Sequence, residues 1–398
     1  MNSALMTNYG SPELEFDHGK GTYLYTADGR RYLDFAMGIA VNCLGHCHPA
    51  LIRALQQQSE TLWHCSNLYR IAPTERLARR LVELTFADRV FFSNSGTEAV
   101  EAGFKIMRRY HHAHGQSQRK RIISLSQSFH GRTLAPIAAS ANPLHCEGFL
   151  YGDAGFDQVP FGDLEALRAS ISAQTAGIVL EPVQGEGGVR AVPGDYLQAV
   201  RTLCDEHGLL LMFDEVQSGV GRTGTLYAHE QLGVTPDLMA SAKGLGGGFP
   251  IGACLATERV AEVMTAGSHG STFGGNPLAT AVANAVLDTL MAEDFLNQVQ
   301  SRSRALRAGL DQLITDFPSV IKAHTGLGLM VGLVCECSNS AVLEALLERQ
   351  MLAVKAGGNS IRLLPPLNVS NEEIHLALDI LRDVCQQLDT PAALSRTA

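Results

Sequence analysis

Tyr196-Leu-Gln-Ala-Val200-Arg-Thr-Leu-Cys204-Asp-Glu-His-Gly208-Leu-Leu-Leu-Met-Phe213-Asp214-Glu215 holds a helix, a stop and a strand in twenty residues. Tyr196, Leu197, Val200, Leu203 and Cys204 recur at helical spacing, and Gly208 stands where a left-handed residue would end the helix. The run Leu209–Phe213 is apolar at every position, as a strand buried on both faces requires. Runs of the same kind occur at Arg89–Ser93, Arg121–Leu125, Gly177–Glu181 and Ile251–Leu255, with helical periodicity between them. All five are expected to be buried parallel strands, which gives an α/β fold with a doubly wound, mostly parallel sheet.

The ends of the chain read differently. Gly21–Tyr25 and Arg31–Phe35 form a small β pattern, and Asn276-Pro277 can cap and start a long Ala/Val/Leu-rich helix. Ser370 and Glu373 make a capping box ahead of Ile374, Leu378, Leu381, Val384, Cys385 and Leu388 on one face. The expected division is an N-terminal segment of a smaller α+β domain (1–55), a large α/β domain (56–275), and an interdomain helix with the C-terminal part of the smaller domain (276–398).

Composition excludes several function classes. Lys and Arg number 31 against 40 Asp and Glu, a net charge of −9 that opposes a nucleic-acid backbone as partner. No apolar run approaches the roughly 18 residues of a membrane helix. The N-terminal MNSALMTNYGSPELEF lacks a basic segment followed by an apolar one, so a cytoplasmic location is expected. Nine cysteines, an odd number, several of them among apolar neighbours (Cys204, Cys254, Cys385), read as reduced core thiols.

Three features carry chemistry. Ser93-Asn-Ser-Gly-Thr97 lies between a strand and a helix, where free N–H groups and the helix dipole would face an anion; an ordinary Ser/Thr cap is the other reading. Asp214 follows an apolar strand and so stands at the carboxyl edge of the sheet, where α/β folds place ligands; a loop cap or a surface ion pair is the alternative. Lys243, one of six lysines, sits in Ala240-Ser-Ala-Lys-Gly-Leu-Gly-Gly-Gly248 with no charged neighbour, a setting that lowers an amine's pKa and makes it a nucleophile toward a carbonyl. A phosphate cradle, a partner for a pyridine nitrogen and a nucleophilic lysine together match pyridoxal 5′-phosphate.

Three other patterns point elsewhere and are weaker. Gly219-Val-Gly-Arg-Thr-Gly224 matches G-x-G-x-x-G, but Asp214 and Glu215 stand where a pyrophosphate would approach and no acid follows at ribose-binding spacing. Cys43, His46, Cys47 and His48 are too crowded to reach one tetrahedral ion and read as a loop before a helix, so no metal is expected. His111, His112 and His114 read as the C-terminal end of the helix that begins near Thr97.

Motifs along nearly the whole chain resemble the class III (subgroup II) aminotransferases of fold type I. They include Gly45-His-Cys-His-Pro49, Ser93-Asn-Ser-Gly-Thr-Glu98, Ser128-Phe-His-Gly-Arg-Thr133, Leu180-Glu-Pro-Val-Gln-Gly-Glu-Gly-Gly188, Phe213-Asp-Glu-Val-Gln217, His269-Gly-Ser-Thr-Phe-Gly-Gly-Asn-Pro277 and Ile361-Arg-Leu-Leu-Pro-Pro366. The resemblance implies that Lys243 takes the cofactor aldehyde and Asp214 its ring nitrogen, while Ser95, Gly96 and Thr97 hold the phosphate. It implies that Phe129 stacks on the ring, Val216 covers the other face, Gln217 approaches the phenolic oxygen, and Thr272 reaches the phosphate of the neighbouring subunit of a homodimer. Arg132 and Arg362 match carboxylate-binding arginines and Glu186 a switch glutamate, with Tyr9 and Ser271 as further substrate contacts. Gly38-Ile-Ala-Val-Asn42 and Ser66-Asn-Leu-Tyr69 resemble the branch that takes N-acetylornithine as donor and 2-oxoglutarate as acceptor, yielding glutamate. Succinylornithine, ornithine and 4-aminobutyrate are the alternative donors.

Overall fold

The computed structural model describes residues 4–10, 13–150 and 152–389. Its centre is a seven-stranded sheet in the order Arg89–Ser93, Gly252–Ala256, Leu238–Ser241, Leu210–Asp214, Thr175–Leu180, Arg121–Leu125, Phe156–Val159. The last five of these strands pair in parallel. Thr175–Leu180, Leu210–Asp214, Leu238–Ser241 and Gly252–Ala256 are buried along their whole length, the reason their sequences run apolar without alternation.

One expected strand has the opposite direction. Gly252–Ala256 runs antiparallel to both of its neighbours, not parallel as its composition suggested. The connection from Ser241 spans only residues 242–251, and a parallel return needs a crossover of a dozen or more residues. Phe156–Val159 and Leu238–Ser241 are strands that the sequence reading did not mark. The helix of the opening stretch spans Gly194–His207 and ends on Gly208 at φ 63°, in the left-handed region.

Around this sheet the two ends of the chain meet. His18–Lys20, Tyr23–Tyr25 and Arg31–Asp34 form a sheet whose fourth strand is Met351–Leu352, pairing in parallel with Arg31–Asp34. A second four-stranded sheet contains Ser360–Leu363, the strand that carries Arg362. Asn276 caps the helix Pro277–Leu290 through its Oδ1, which accepts the Ala279 N–H, and Ser370 with Glu373 closes the capping box of Asn371–Leu388. All nine cysteines are free thiols, and Cys204, Cys254 and Cys385 are buried. Among the described residues no helix is long and apolar enough to cross a membrane.

Candidate active site

The carboxyl ends of three neighbouring strands meet at one cluster. Asp214 closes its strand and is 4% exposed; its Oδ2 lies 2.8 Å from His130 Nδ1, and its Oδ1 accepts the Val216 N–H at 3.1 Å. Glu181 follows Thr175–Leu180 and accepts the N–H groups of Phe129 (3.0 Å) and Gly185 (3.2 Å). Burial pushes the Glu181 carboxyl up to about 7, aided by the Asp214 charge and opposed by His130 and the two backbone donors. For His130, burial works to lower the pKa, but the hydrogen bond and charge of Asp214 and the charge of Glu181 outweigh it and raise the imidazole above its usual value. His130 and Glu181 are functional neighbours that the residue-by-residue reading missed. Glu181 stands, like Asp214, directly after an apolar strand, and that position was the available signal.

Lys243 opens the turn Lys243–Leu245 with φ 44°, a backbone conformation that a non-glycine residue adopts only when its surroundings enforce it. Gly244 and Leu245 behind it are buried, while the lysine itself lines the cavity. Its Nζ makes no hydrogen bond or ion pair among the described residues. Burial holds the amine down at about 8, helped by the Arg362 charge and opposed by Asp214, Glu186 and Glu181. At pH 7 about a tenth of such amines are neutral, against about one in 3,000 for an ordinary lysine. A neutral amine is the form that attacks a carbonyl.

A cavity of about 400 Å³ joins Lys243 and Asp214 to the start of the helix Gly96–Ala113. Ser95 caps that helix through its Oγ, which accepts the Glu98 N–H, so the Gly96 and Thr97 N–H groups are left to face the cavity. The glycines keep the space open. A Cβ on Gly96 would come within 2.7 Å of Val216 Cγ1, and one on Gly131 would overlap Thr97 Oγ1. Phe129 and Val216 line the same cavity, an aromatic and an aliphatic wall suited to a flat ring. Pyridoxal 5′-phosphate fits this donor set: Ser95, Gly96 and Thr97 would hold its phosphate, Asp214 its ring nitrogen and Lys243 its aldehyde.

Beyond Lys243 a second cavity, of about 930 Å³, contains Arg132, Glu186 and Arg362 and shares Phe129, Arg132 and Lys243 with the first. Arg362 is 1% exposed; its Nη2 donates to Glu186 Oε1 at 2.8 Å and to the Lys355 carbonyl, and its Nη1 donates to Gln217 Oε1 at 3.2 Å. Glu186 remains more than a third exposed and can swing into water. The Arg132 guanidinium lies 5.4 Å from the Phe129 ring centroid and has no ion-pair partner among the described residues. Gly38 and Ile39 also line this cavity, in a turn where Met37, Gly38, Ile39 and Ala40 all have positive φ; Asp34 Oδ1 accepts the N–H groups of Ala36 and Met37 at its start. Left-handed residues other than glycine cost roughly 1–2 kcal/mol each, strain of the kind found where a site shapes its backbone.

Three expected site residues lie away from these cavities within the chain. Ser271 and Thr272 line a separate cavity, with Ser271 Oγ accepting from Asn94 Nδ2 and the Gly274 N–H. Tyr9, on the short turn Thr7–Tyr9, is 90% exposed. The competing patterns also find places. His46 Nε2 binds Asp34 Oδ2 at 2.7 Å in the loop before the helix Pro49–Ser59, and His111 is buried against the Ala176 carbonyl at the end of its helix. In the Gly219–Gly224 loop, Arg222 is buried and donates to the Leu329 and Pro365 carbonyls.

Comparison with known proteins agrees with this geometry. The family described as Aminotransferase class-III matches residues 6–385. The chain is 53% identical over 393 residues to an acetylornithine aminotransferase of Brucella melitensis, covering 99% of this chain and 98% of that one. It is 55% identical over 380 residues to one of Mesorhizobium japonicum, covering 96% and 95%. The crystal structure of N-acetylornithine aminotransferase from Stenotrophomonas maltophilia superimposes with a TM-score of 0.84 at 38% identity, covering 96% of this chain and 98% of that one. The ornithine aminotransferase of Toxoplasma gondii gives a TM-score of 0.93 at 30% identity, covering 97% and 93%. A secluded lysine, a strand-end aspartate, a helix-start cradle and matches of this length lead to one conclusion: the chain belongs to the class-III aminotransferases, the pyridoxal 5′-phosphate enzymes of fold type I.

Proposed function

We propose that this enzyme moves the terminal amine of N2-acetyl-L-ornithine to 2-oxoglutarate, giving N-acetylglutamate 5-semialdehyde and glutamate, a cytoplasmic step of arginine biosynthesis. The observation that carries the reading is the Glu186–Arg362 pair facing an unpaired Arg132 in the cavity that holds Lys243. The names of the close relatives support the choice of donor. Bound pyridoxal 5′-phosphate supplies an aldehyde carbon that exchanges amines and a ring that withdraws electrons.

The protein supplies binding and proton transfer. Lys243 Nζ, whose neutral fraction is raised by burial, accepts the proton from the amine-bearing carbon of the substrate. Arg132 takes the α-carboxylate of acetylornithine, and Glu186 neutralises Arg362 while the uncharged methylene chain passes it. Glutamate places its γ-carboxylate on Arg132 and brings its α-carboxylate to Arg362, so Glu186 swings out and one charge pair replaces another. Glu186→Ala is expected to favour the glutamate half-reaction over the acetylornithine one when the two are followed separately by stopped flow. Equal slowing of both would reduce Glu186 to a brace of its loop. Arg132→Ala should weaken both donors by roughly 1.5–3 kcal/mol, one charge-assisted contact.

The working unit is a homodimer in this reading, because Ser271 and Thr272 lie outside the two cavities that hold Lys243 in their own chain, beside Phe273, which is 59% exposed. Mixing Lys243→Ala with Thr272→Ala protein tests it. If Thr272 serves the neighbouring site, each mixed dimer regains one intact site, and activity exceeds what the Thr272→Ala protein contributes alone. If Thr272 serves its own chain, every site in the mixture carries a lesion and no activity is regained.

A further inference from the structure

The larger cavity continues past the arginines into a limb between the Ser126–Phe129 loop and the Ser140–His145 segment, with Gln158 at its wall. Most polar groups in this limb are already committed. Ser126 Oγ accepts the Phe161 N–H, Ser140 Oγ donates to the Pro136 carbonyl, Asn142 Oδ1 caps Leu144, and Gln158 Nε2 donates to the Ser140 carbonyl. Two buried atoms are not: among the described residues, Ser128 Oγ and His145 Nδ1 have no hydrogen-bond partner. Buried polar groups are nearly always paired, so an unpaired couple lining one cavity points to a ligand that completes it. The same cavity is lined by Arg132, Lys243, Lys355 and Arg362.

His145 stands edge-on to Phe129, with ring centroids 6.2 Å apart, and the Arg132 guanidinium lies over the same ring. Burial, then the Arg132 charge, holds the imidazole below its usual value against the pull of Glu186, so at pH 7 it is neutral and offers one donor and one acceptor nitrogen. An amide has the complementary pair, an N–H and a carbonyl. In an N2-acylated diamino acid the amide nitrogen is bonded to the carbon that bears the α-carboxylate. A carboxylate seated on Arg132 therefore brings the amide to the limb mouth, beside His145.

We propose that Ser128 and His145 form the subsite for the N2-acyl amide of the donor. The inference rests on the acetylornithine reading and adds to it the residues that recognise the acyl group.

The test uses N2-acetyl-L-norvaline, which keeps the carboxylate and acyl amide but ends in a methyl group where the donor has an aminomethyl group, so it binds without reacting. Calorimetry on the cofactor-loaded protein is expected to show binding weakened about tenfold or more in Ser128→Ala and in His145→Phe, the loss of one ligand hydrogen bond, with 2-oxoglutarate binding unchanged. His145→Asn, which keeps a neutral donor and acceptor, should recover most of the loss. Equal loss of acetylnorvaline and 2-oxoglutarate binding overturns the subsite in favour of general disruption, and unchanged acetylnorvaline binding in both variants overturns it outright. If the unaltered protein does not transaminate N-acetylornithine, the function proposed above falls and takes the subsite with it; if it does and the variants are indifferent to the acyl group, the subsite alone falls.

Discussion

Lys243→Ala is expected to fold and to lose at least about 10²–10⁴-fold in turnover, the range associated with removing a positioned acid–base group, with the loss of covalent cofactor attachment in addition. The residue fills two roles that no neighbour can take over. Among the described residues that line the cofactor cavity, no other side chain carries an amine. The pH dependence of the unaltered, cofactor-free protein follows from the same environment. Burial sets the Lys243 amine at about 8, so the rate of covalent cofactor capture should rise as pH increases through 8, where an ordinary lysine would respond about two units higher. Absorbance of the bound cofactor and single-turnover kinetics with glutamate measure both effects, and near-normal turnover in the alanine variant would remove Lys243 from the reaction.

Asp214→Asn should lower the rate of the proton-transfer half-reaction by about 10²–10³-fold, or roughly 2.7–4 kcal/mol of barrier, as for other preorganised electrostatic contacts. The amide keeps a hydrogen-bonding side chain but not the charge that favours a protonated ring nitrogen. The substitution also changes His130. In the intact cluster, Asp214 and Glu181 raise the imidazole against the effect of burial. Without the Asp214 charge, the influence of burial grows and the His130 pKa falls. The variant's half-reaction should therefore show a pH profile different from that of the intact enzyme, a readout that mere loosening of the strand end would not give. Unchanged single-turnover rates in Asp214→Asn would mean that another group supplies the charge.

Caps and apolar runs made much of this architecture legible in the sequence. Gly208, Asn276 and the Ser370–Glu373 box act within a turn of their own position, so local sequence suffices to place them. The strand Leu210–Asp214 is buried on both faces and its composition says so. Strand direction is another matter: Gly252–Ala256 is as apolar as its parallel neighbours, and the difference lies in the length of the connection before it. Phe156-Asp-Gln-Val159 is apolar only at its two ends, so it shows neither alternation nor an apolar run that would register as a strand. At the site, Lys243 and Asp214 stood out because each is an ionisable residue in an apolar or glycine-rich setting. His130 did not, since its contact with Asp214 spans 84 residues and nothing local to Ser128-Phe-His-Gly-Arg132 reports it. The paired state of Arg362 and the unpaired state of Arg132 are likewise products of tertiary structure.

The reversed strand also bears on how freely the family can vary its sequence. Gly252 pairs with Ser93 in the ladder that leads into the anion cradle, and the segment just before Gly252 begins at the Lys243 turn. The separation between lysine and cradle is thus set by main-chain hydrogen bonds, which are indifferent to side-chain identity. Ala253, Cys254 and Leu255 can drift under mutation, constrained only by the volume they fill, without detuning the chemistry. Gly252 cannot drift in the same way, because a Cβ there would overlap the Ser95 carbonyl oxygen and push the cradle from the lysine. The fold therefore concentrates its intolerance in a few backbone positions and leaves the surrounding core open to neutral change.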